Sequence, residues 1–226
     1  MTSRNTPSRA ELVREAYTAF GAALEELGED DSWAATGCTG WSVRDLTYHC
    51  AMDALRGLVA LHTPTTARPD RDAATYWGDW GGDPATAAEA RRWARVSASM
   101  FLDWGPVREL HHESARAVVH ASEHRPPGGA VRTQGHVLTV EDLLSTLVVE
   151  ATVHHLDLIR HLGGSTGPSA AGLAETRRVL TELWGREPLE HWSDEHFALV
   201  GTGRADLSAE DRAVVGPEAE LLPLFS

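Results

Sequence analysis

Histidine and carboxylate side chains recur at helical spacing in the segment from Val148 to Gly163, VVEATVHHLDLIRHLG. Glu150 and His154 are four residues apart, and Asp157 and His161 follow after three and four more. On a period of 3.6 residues all four are predicted to face the interior with three leucines, Leu143, Leu147 and Leu158. Buried carboxylate and imidazole groups need a compensating partner, and a divalent metal ion is one. The alternative is an ordinary i, i+4 hydrogen bond on a half-exposed helix.

A third metal ligand is available on an earlier helix. Ser42 and Asp45 form a capping-box pattern that predicts a helix start, and His49 lies on or beside the apolar stripe of that helix. Residues four apart have Cβ atoms about 5–6 Å apart, which allows Glu150 and His154 to chelate one ion with His49 as the third ligand. Three protein ligands leave a coordination position open, as in catalytic sites. The alternative for His49 is a core or rim histidine without a ligand role.

Two aspartates, Asp53 and Asp157, each lie one helical turn from a predicted ligand and could orient an imidazole N–H. A surface ion pair with arginine is the alternative for each. A His/Glu/His set accepts zinc, iron, nickel or manganese, so the residues do not specify the metal. Scattered histidines elsewhere are expected to lie mostly at the surface: His111, His112, His120, His124 and His136.

Four long helices are predicted to bring these residues together in an up-down bundle. The first follows the capping pattern of Ser8 and Glu11, and the second extends to about Leu61. The third is expected from Ala87 to about Ala121 with an interruption at Gly105-Pro106. The fourth is capped by Thr139 with Asp142 and ended by Gly163-Gly164. The fold class is therefore mainly α.

The remaining segments are predicted to be short. VRTQGHVL is expected to form a short hairpin. Residues 63–84, with Tyr76, Trp77 and Trp80, are expected to form a long ordered loop packed over another part of the protein, and loops of that kind often cover a site. After the fourth helix we expect a linker, a helix from about Ala174 to Trp184, a strand at 197–200, a helix capped by Ser208 and a docked apolar tail. These features divide the chain into a bundle at 1–165 and a small C-terminal α(+β) extension, 166–226, packed on it.

Composition excludes several kinds of chemistry. The chain contains no lysine, which rules out a Schiff-base lysine, a Walker-type lysine and a Ser-Lys dyad. A formal net charge of -13 argues against nucleic acid or an anionic membrane as a partner. Cys38 and Cys50 form no C-x-x-C pattern and are expected to be reduced thiols. Without an apolar signal segment or a spanning run, the protein is expected to be cytoplasmic.

Two motifs resemble a known family. GWSVRDLTYHC (Gly40 to Cys50) and VVEATVHHLDLIRHLG resemble the metal-ligand motifs of DinB-like bundle proteins, specifically the mycothiol-dependent maleylpyruvate isomerase group. The ending TGRADLSAEDRAVVGPEAELLPLF resembles a C-terminal signature of that group. The resemblance implies a divalent metal, usually zinc, at the end of the bundle on His49, Glu150 and His154, with the thiol mycothiol as cosubstrate. It also implies that Arg204 supplies positive charge to a substrate carboxylate or enolate, the alternative being a loop ion pair with Asp206 or Asp211.

The expected function is activation of a low-molecular-weight thiol for S-transfer to, or cis-trans isomerisation of, a small electrophile. A metal-bound thiol becomes a nucleophilic thiolate near neutral pH. Two-domain isomerases of the group carry a larger C-terminal α/β domain, whereas about sixty residues follow the fourth helix here, which favours the broader statement over maleylpyruvate alone. The alternatives are a metal-dependent hydrolase on the same ligands and a non-catalytic bundle that binds a small molecule.

Overall fold

The computed structural model describes residues 7–79, 84–126 and 128–225. Within these ranges the chain forms eight α-helices and one small sheet. The helices are α1 (Arg9–Glu25), α2 (Val43–Leu61), α3 (Pro84–Ala98), α4 (Trp104–His124), α5 (Val140–Ile159), α6 (Ala170–Trp184), α7 (Asp194–Gly201) and α8 (Ala209–Val215). The strands are β1 (Pro64–Thr65), β2 (Ala130–Thr133) and β3 (His136–Thr139).

Four helices form the bundle on which the site is built. Both α1 and α2 pack against α4 and α5, while α6 packs on α5 and α1. The predicted DinB-like, mainly α fold is therefore confirmed. Where α2 packs on α5, an added Cβ at Gly57 would lie 2.7 Å from a methyl carbon of Leu147. Only glycine allows this approach without displacing the leucine.

Local capping signals set where the bundle helices begin. Ser8 caps α1 and Ser42 caps α2, each in a reciprocal capping box, and Thr139 caps α5 by accepting from the Asp142 backbone N–H. Each capped start satisfies backbone donors that have no partner within the helix. These predictions are confirmed, and they fix the phase of α2 and α5, so the site residues face each other.

The predicted third helix is two separate helices. α3 ends at Ala98 and α4 begins at Trp104, so the break lies at residues 99–103 rather than at Gly105-Pro106. Pro106 lies in the first turn of α4, where its missing N–H removes no helical hydrogen bond. The backbone N–H of Trp104 donates to Glu29 Oε2 at 2.7 Å, which anchors the start of α4.

Two further predictions were wrong. Residues 197–200 belong to the helix α7, capped by Ser193, and not to a strand, because a short apolar run fits either structure and the cap decides. α5 ends at Ile159, before Gly163-Gly164, and His161 beyond it is exposed. His161 is therefore not on the interior stripe with Glu150 and His154.

The hairpin and the tail follow the predicted pattern. β2 and β3 pair antiparallel around a turn in which φ is +45° at Gln134 and +85° at Gly135. β1 pairs antiparallel with β2. In the 63–84 segment the buried Tyr76 donates to Gln134 Oε1, and Trp77 stacks on Phe225 at 4.4 Å between ring centroids. The apolar tail is thus docked, while Trp80 lies outside the described residues.

The C-terminal helices share the apolar core of the bundle. Val179, Leu180 and Phe197 belong to the same buried cluster as Leu143 and Leu147. A division of the chain at residue 165 stays a prediction. None of the described helices has the length and apolar character needed to cross a membrane.

Candidate metal centre

The three predicted metal ligands come together between α2 and α5. His49, Glu150 and His154 each place one ligand atom within 4.8 Å of the others. His154 Nε2 lies 3.1 Å from His49 Nε2 and 3.2 Å from Glu150 Oε2. All three residues are partly exposed.

The charges of these groups require a positive charge at their centre. Burial lowers the pKa of His49 to about 4, and the neighbouring His154 adds to the effect, so His49 is neutral near pH 7. Burial raises the pKa of Glu150, but the hydrogen bond and charge of His154 outweigh it and lower the pKa to about 2. A carboxylate and two nitrogen lone pairs then face one point. Either a proton on His154 or a divalent ion satisfies them, so the donor set fits a metal such as zinc.

Asp157 holds the opposite side of His154. Its Oδ2 accepts a hydrogen bond from His154 Nδ1 at 3.0 Å, which leaves Nε2 directed at His49 and Glu150. Burial raises the pKa of Asp157, but His154 and Arg204 together outweigh it and hold the pKa far below the ordinary range. Asp157 is therefore an ionised carboxylate, hydrogen-bonded to His154 as a carboxylate would be that orients a metal-binding imidazole.

Arg204 forms its ion pair with Asp157. The alternative considered from the sequence, a loop ion pair with Asp206 or Asp211, is wrong. Arg204 Nε and Nη2 donate to the two carboxylate oxygens of Asp157 at 2.9 and 2.8 Å. Its Nη1 donates to the backbone oxygen of Thr202 at 2.8 Å. The guanidinium thus has an acceptor on every nitrogen.

Asp53 pairs with Arg56 rather than with an imidazole. Arg56 Nε donates to Asp53 Oδ1 at 2.8 Å, and Arg56 Nη1 donates to Thr133 Oγ1 at the hairpin, at 3.1 Å. These contacts match the alternative expected from the sequence, an ion pair with arginine, except that the pair is largely buried and not at the surface. Arg56 was not singled out from the sequence, although its position seven residues after His49 places both on one face of α2.

Two residues of the loop before α2 also border the site. Cys38 Sγ lies 3.1 Å from Asp157 Oδ2 and 3.7 Å from His154 Nδ1. The ring of Trp41 packs on His49 with 4.9 Å between centroids, and its Nε1 donates to the Arg91 backbone oxygen. Both cysteines are free thiols, as predicted. The sequence carried no signal for Cys38, because its partners are more than a hundred residues away.

One histidine contradicts the surface prediction. His111 is fully buried, stacks on Phe20 at 4.8 Å, and has no hydrogen-bond partner at either nitrogen among the described residues. It lines a cavity of about 10 Å³ together with Asp53, Glu150 and His154. Burial lowers the pKa of His111 to about 3, with His112 adding to the effect, so it is a neutral core histidine.

The family model described as mycothiol maleylpyruvate isomerase N-terminal domain matches residues 13–159. That match spans more than half of the chain. The chain belongs to the mycothiol maleylpyruvate isomerase family. The matched region of the family model begins in α1 and ends with the last residue of α5, so it contains His49, Glu150 and His154.

A solved structure agrees in fold. The crystal structure of the mycothiol-dependent maleylpyruvate isomerase aligns with 77% of this chain and 68% of that chain, with a TM-score of 0.56 and 20% sequence identity. At this identity the likeness shows a common fold. No curated protein matches the chain.

Proposed function

We propose that this protein is a metal-dependent enzyme that activates a low-molecular-weight thiol, mycothiol, for attack on a small electrophile. The observation that carries the proposal is the convergence of His49, Glu150 and His154 within 4.8 Å, with Asp157 on the far nitrogen of His154. Zinc is the proposed ion, and a bound divalent cation lowers the pKa of a thiol so that the thiolate forms near neutral pH.

The residues have distinct proposed roles. His49, Glu150 and His154 would hold the ion, and three protein ligands would leave a coordination position for a thiol sulfur. Asp157 accepts the Nδ1 proton of His154 and keeps the imidazole in one tautomer, and Arg204 fixes Asp157 in turn. The family resemblance had assigned Arg204 to a substrate carboxylate or enolate. We propose the positioning role because each of its three guanidinium nitrogens already has an acceptor within the protein.

The reaction class follows from thiolate chemistry. The sulfur adds to one carbon of an activated cis double bond, and the electron pair moves onto the conjugated carbonyl oxygen. The former double bond is now a single bond, and rotation about it followed by expulsion of the thiolate gives the trans isomer. The structural neighbour is named as an isomerase of maleylpyruvate. With a leaving group on the electrophile, the same addition gives S-transfer. We propose this broader class, with maleylpyruvate as one candidate.

The first test is the metal content. Zinc is measured by elemental analysis in the purified protein and in the variants His49→Ala and His154→Ala, with folding checked by circular dichroism. His124→Ala, at an exposed position of α4, is the matched control. About one zinc per chain in wild type and control, lost in both site variants, is the expected result. A wild-type protein that binds no metal after anaerobic reconstitution would refute the proposal.

The second test separates thiol chemistry from hydrolysis. Zinc-loaded protein is assayed with maleylpyruvate and with a panel of electrophiles, with and without mycothiol. Turnover that requires the thiol is expected. Turnover at the same rate without any thiol would show a metal-dependent hydrolase instead.

A further inference from the structure

Two arginines reach the site, and their hydrogen bonds differ. Every nitrogen of Arg204 donates to a protein oxygen. Arg56 donates from Nε to Asp53 and from Nη1 to Thr133, but its Nη2 is buried and has no hydrogen-bond partner among the described residues. The Arg56 side chain as a whole is 14% exposed. Of the two arginines, Arg56 is thus the one with a guanidinium nitrogen that makes no hydrogen bond among the described residues.

The helix directs this donor toward the metal ligands. His49 and Arg56 are seven residues apart on α2, which places them on one face. Side chains on a helix tilt toward its N-terminus, and the bond from Arg56 to Asp53 shows that the guanidinium extends back toward His49. Asp53 lies one turn, about 5.4 Å of rise, from His49. The guanidinium of Arg56 therefore lies on the His49 side of its own turn of α2.

The hairpin keeps the guanidinium in place. Thr133 at the end of β2 accepts from Arg56, and the adjacent turn residue Gln134 accepts from the buried Tyr76. A fixed planar guanidinium recognises a carboxylate with directional hydrogen bonds, which a lysine cannot reproduce. A buried charged donor without a partner also carries a desolvation cost that an anionic oxygen relieves.

We propose that Arg56 binds a carboxylate of the electrophilic substrate through Nη2 and so makes the enzyme selective for acidic electrophiles. The inference rests on the proposed function in placing the electrophile beside His49. It assigns substrate recognition to Arg56 and leaves Arg204 as the residue that positions Asp157. Asp53 carries a competing negative charge, which weakens the hold of Arg56 on a second anion.

The test uses titration calorimetry on zinc-loaded protein without thiol. The probes are maleate and its neutral analogue maleamide, and the proteins are wild type, Arg56→Gln and Arg56→Lys at matched zinc content. Wild type is expected to bind maleate more tightly than maleamide. Arg56→Gln is expected to weaken maleate binding about tenfold or more, because a charge-assisted hydrogen bond is lost, while maleamide binding stays unchanged. Arg56→Lys, which keeps the charge, is expected to lie between.

A further variant is expected to change maleate affinity in the opposite direction. Asp53→Asn removes the competing carboxylate and is expected to tighten maleate binding. Equal maleate affinity in wild type and folded Arg56→Gln would overturn the inference, even if thiol-dependent turnover is observed. If Arg56→Gln does not fold, unchanged maleate affinity in both Arg56→Lys and Asp53→Asn overturns it. Arg56-dependent maleate binding by an enzyme without thiol-dependent turnover would overturn the proposed function alone.

Discussion

Replacing Asp157 by asparagine is expected to weaken both the fold and the metal site. Four donors converge on the two oxygens of this carboxylate: His154 Nδ1 at 3.0 Å, Arg204 Nε and Nη2 at 2.9 and 2.8 Å, and Cys38 Sγ at 3.1 Å. Asparagine keeps one acceptor oxygen and turns an amide donor toward the other donors. It also removes the charge that Arg204 needs.

The size of the effect follows from the burial of the pair. Asp157 is 2% exposed and Arg204 is 17% exposed. Removing one partner of a buried ion pair costs about 3–5 kcal/mol, and the partial exposure of Arg204 favours the lower end, about 3 kcal/mol. Loss of a carboxylate that orients a ligating histidine lowers metal affinity about 10–100-fold. Asp157→Asn is therefore expected to lose about 3 kcal/mol of unfolding free energy and at least tenfold in zinc affinity.

The double variant Asp157→Asn/Arg204→Gln separates the two effects. Most of the lost stability is expected to return, because no buried charge is left unpaired, with a coupling energy of about 2–3 kcal/mol. Zinc affinity is not expected to return, because His154 still lacks its carboxylate. Urea unfolding and zinc competition titration measure the two quantities, with the exposed Asp206→Asn as control. A wild-type urea midpoint in Asp157→Asn, or losses that simply add in the double variant, would refute the reasoning.

Three further variants test other parts of the structure. His111→Phe removes two buried nitrogens without partners and is expected to raise the free energy of unfolding at pH 7 by about 1–3 kcal/mol. Because the lowered pKa of His111 makes the wild type lose stability as the pH falls from about 6.5 to 3, the variant is expected to lose less over that range, which urea unfolding at several pH values measures. Loss of bound zinc in this variant would instead give His111 a role at the site. Burial raises the pKa of Glu175, but two arginines and a serine outweigh burial and lower the pKa below the ordinary glutamate value. The ionised Glu175 side chain therefore stabilises the fold at pH values above that ordinary pKa, and this stabilisation is lost as the pH falls. Glu175→Gln should therefore unfold at lower urea than wild type at pH 7, with a gap that narrows below about pH 4.5; a constant gap contradicts this. Gly37→Ala would place a Cβ 2.4 Å from Asp157 Oδ1 and is expected to weaken zinc binding. The control Gly78→Ala adds a Cβ in open space and is expected to bind zinc as wild type does. Equal zinc affinity in the two variants would show that the loop containing Gly37 moves to accommodate the methyl group.

The sequence predicted the parts of the site that depend on local spacing. Glu150 and His154 are one turn apart, and the capping boxes at Ser8 and Ser42 mark helix starts, so short-range patterns were enough to place them. His49 needed one further assumption, that two helices with inward polar groups face each other. That assumption is met by the 3.1 Å contact between the two histidines.

Contacts between distant segments could not be predicted in the same way. Arg204 and Asp157 are 47 positions apart, and Cys38 and Asp157 are 119 apart, so no helical period relates them. The burial of His111, in contrast, could have been predicted from its spacing to apolar residues of α4. His111 lies four residues after Val107 and seven before Val118, both fully buried, and this spacing predicts the interior face of α4.

The charge balance of the site explains how an acidic protein can attract an anionic ligand. The chain carries a formal net charge of -13, yet each of the two Arg–Asp pairs at the site is neutral by itself. With both imidazoles neutral, Glu150 contributes one negative charge, and a divalent ion on the three ligands gives a local excess of one positive charge. A bound thiolate cancels that excess. A second anion would then depend on a directional donor rather than on net charge, and Arg56 Nη2 is a buried guanidinium nitrogen without a hydrogen-bond partner among the described residues.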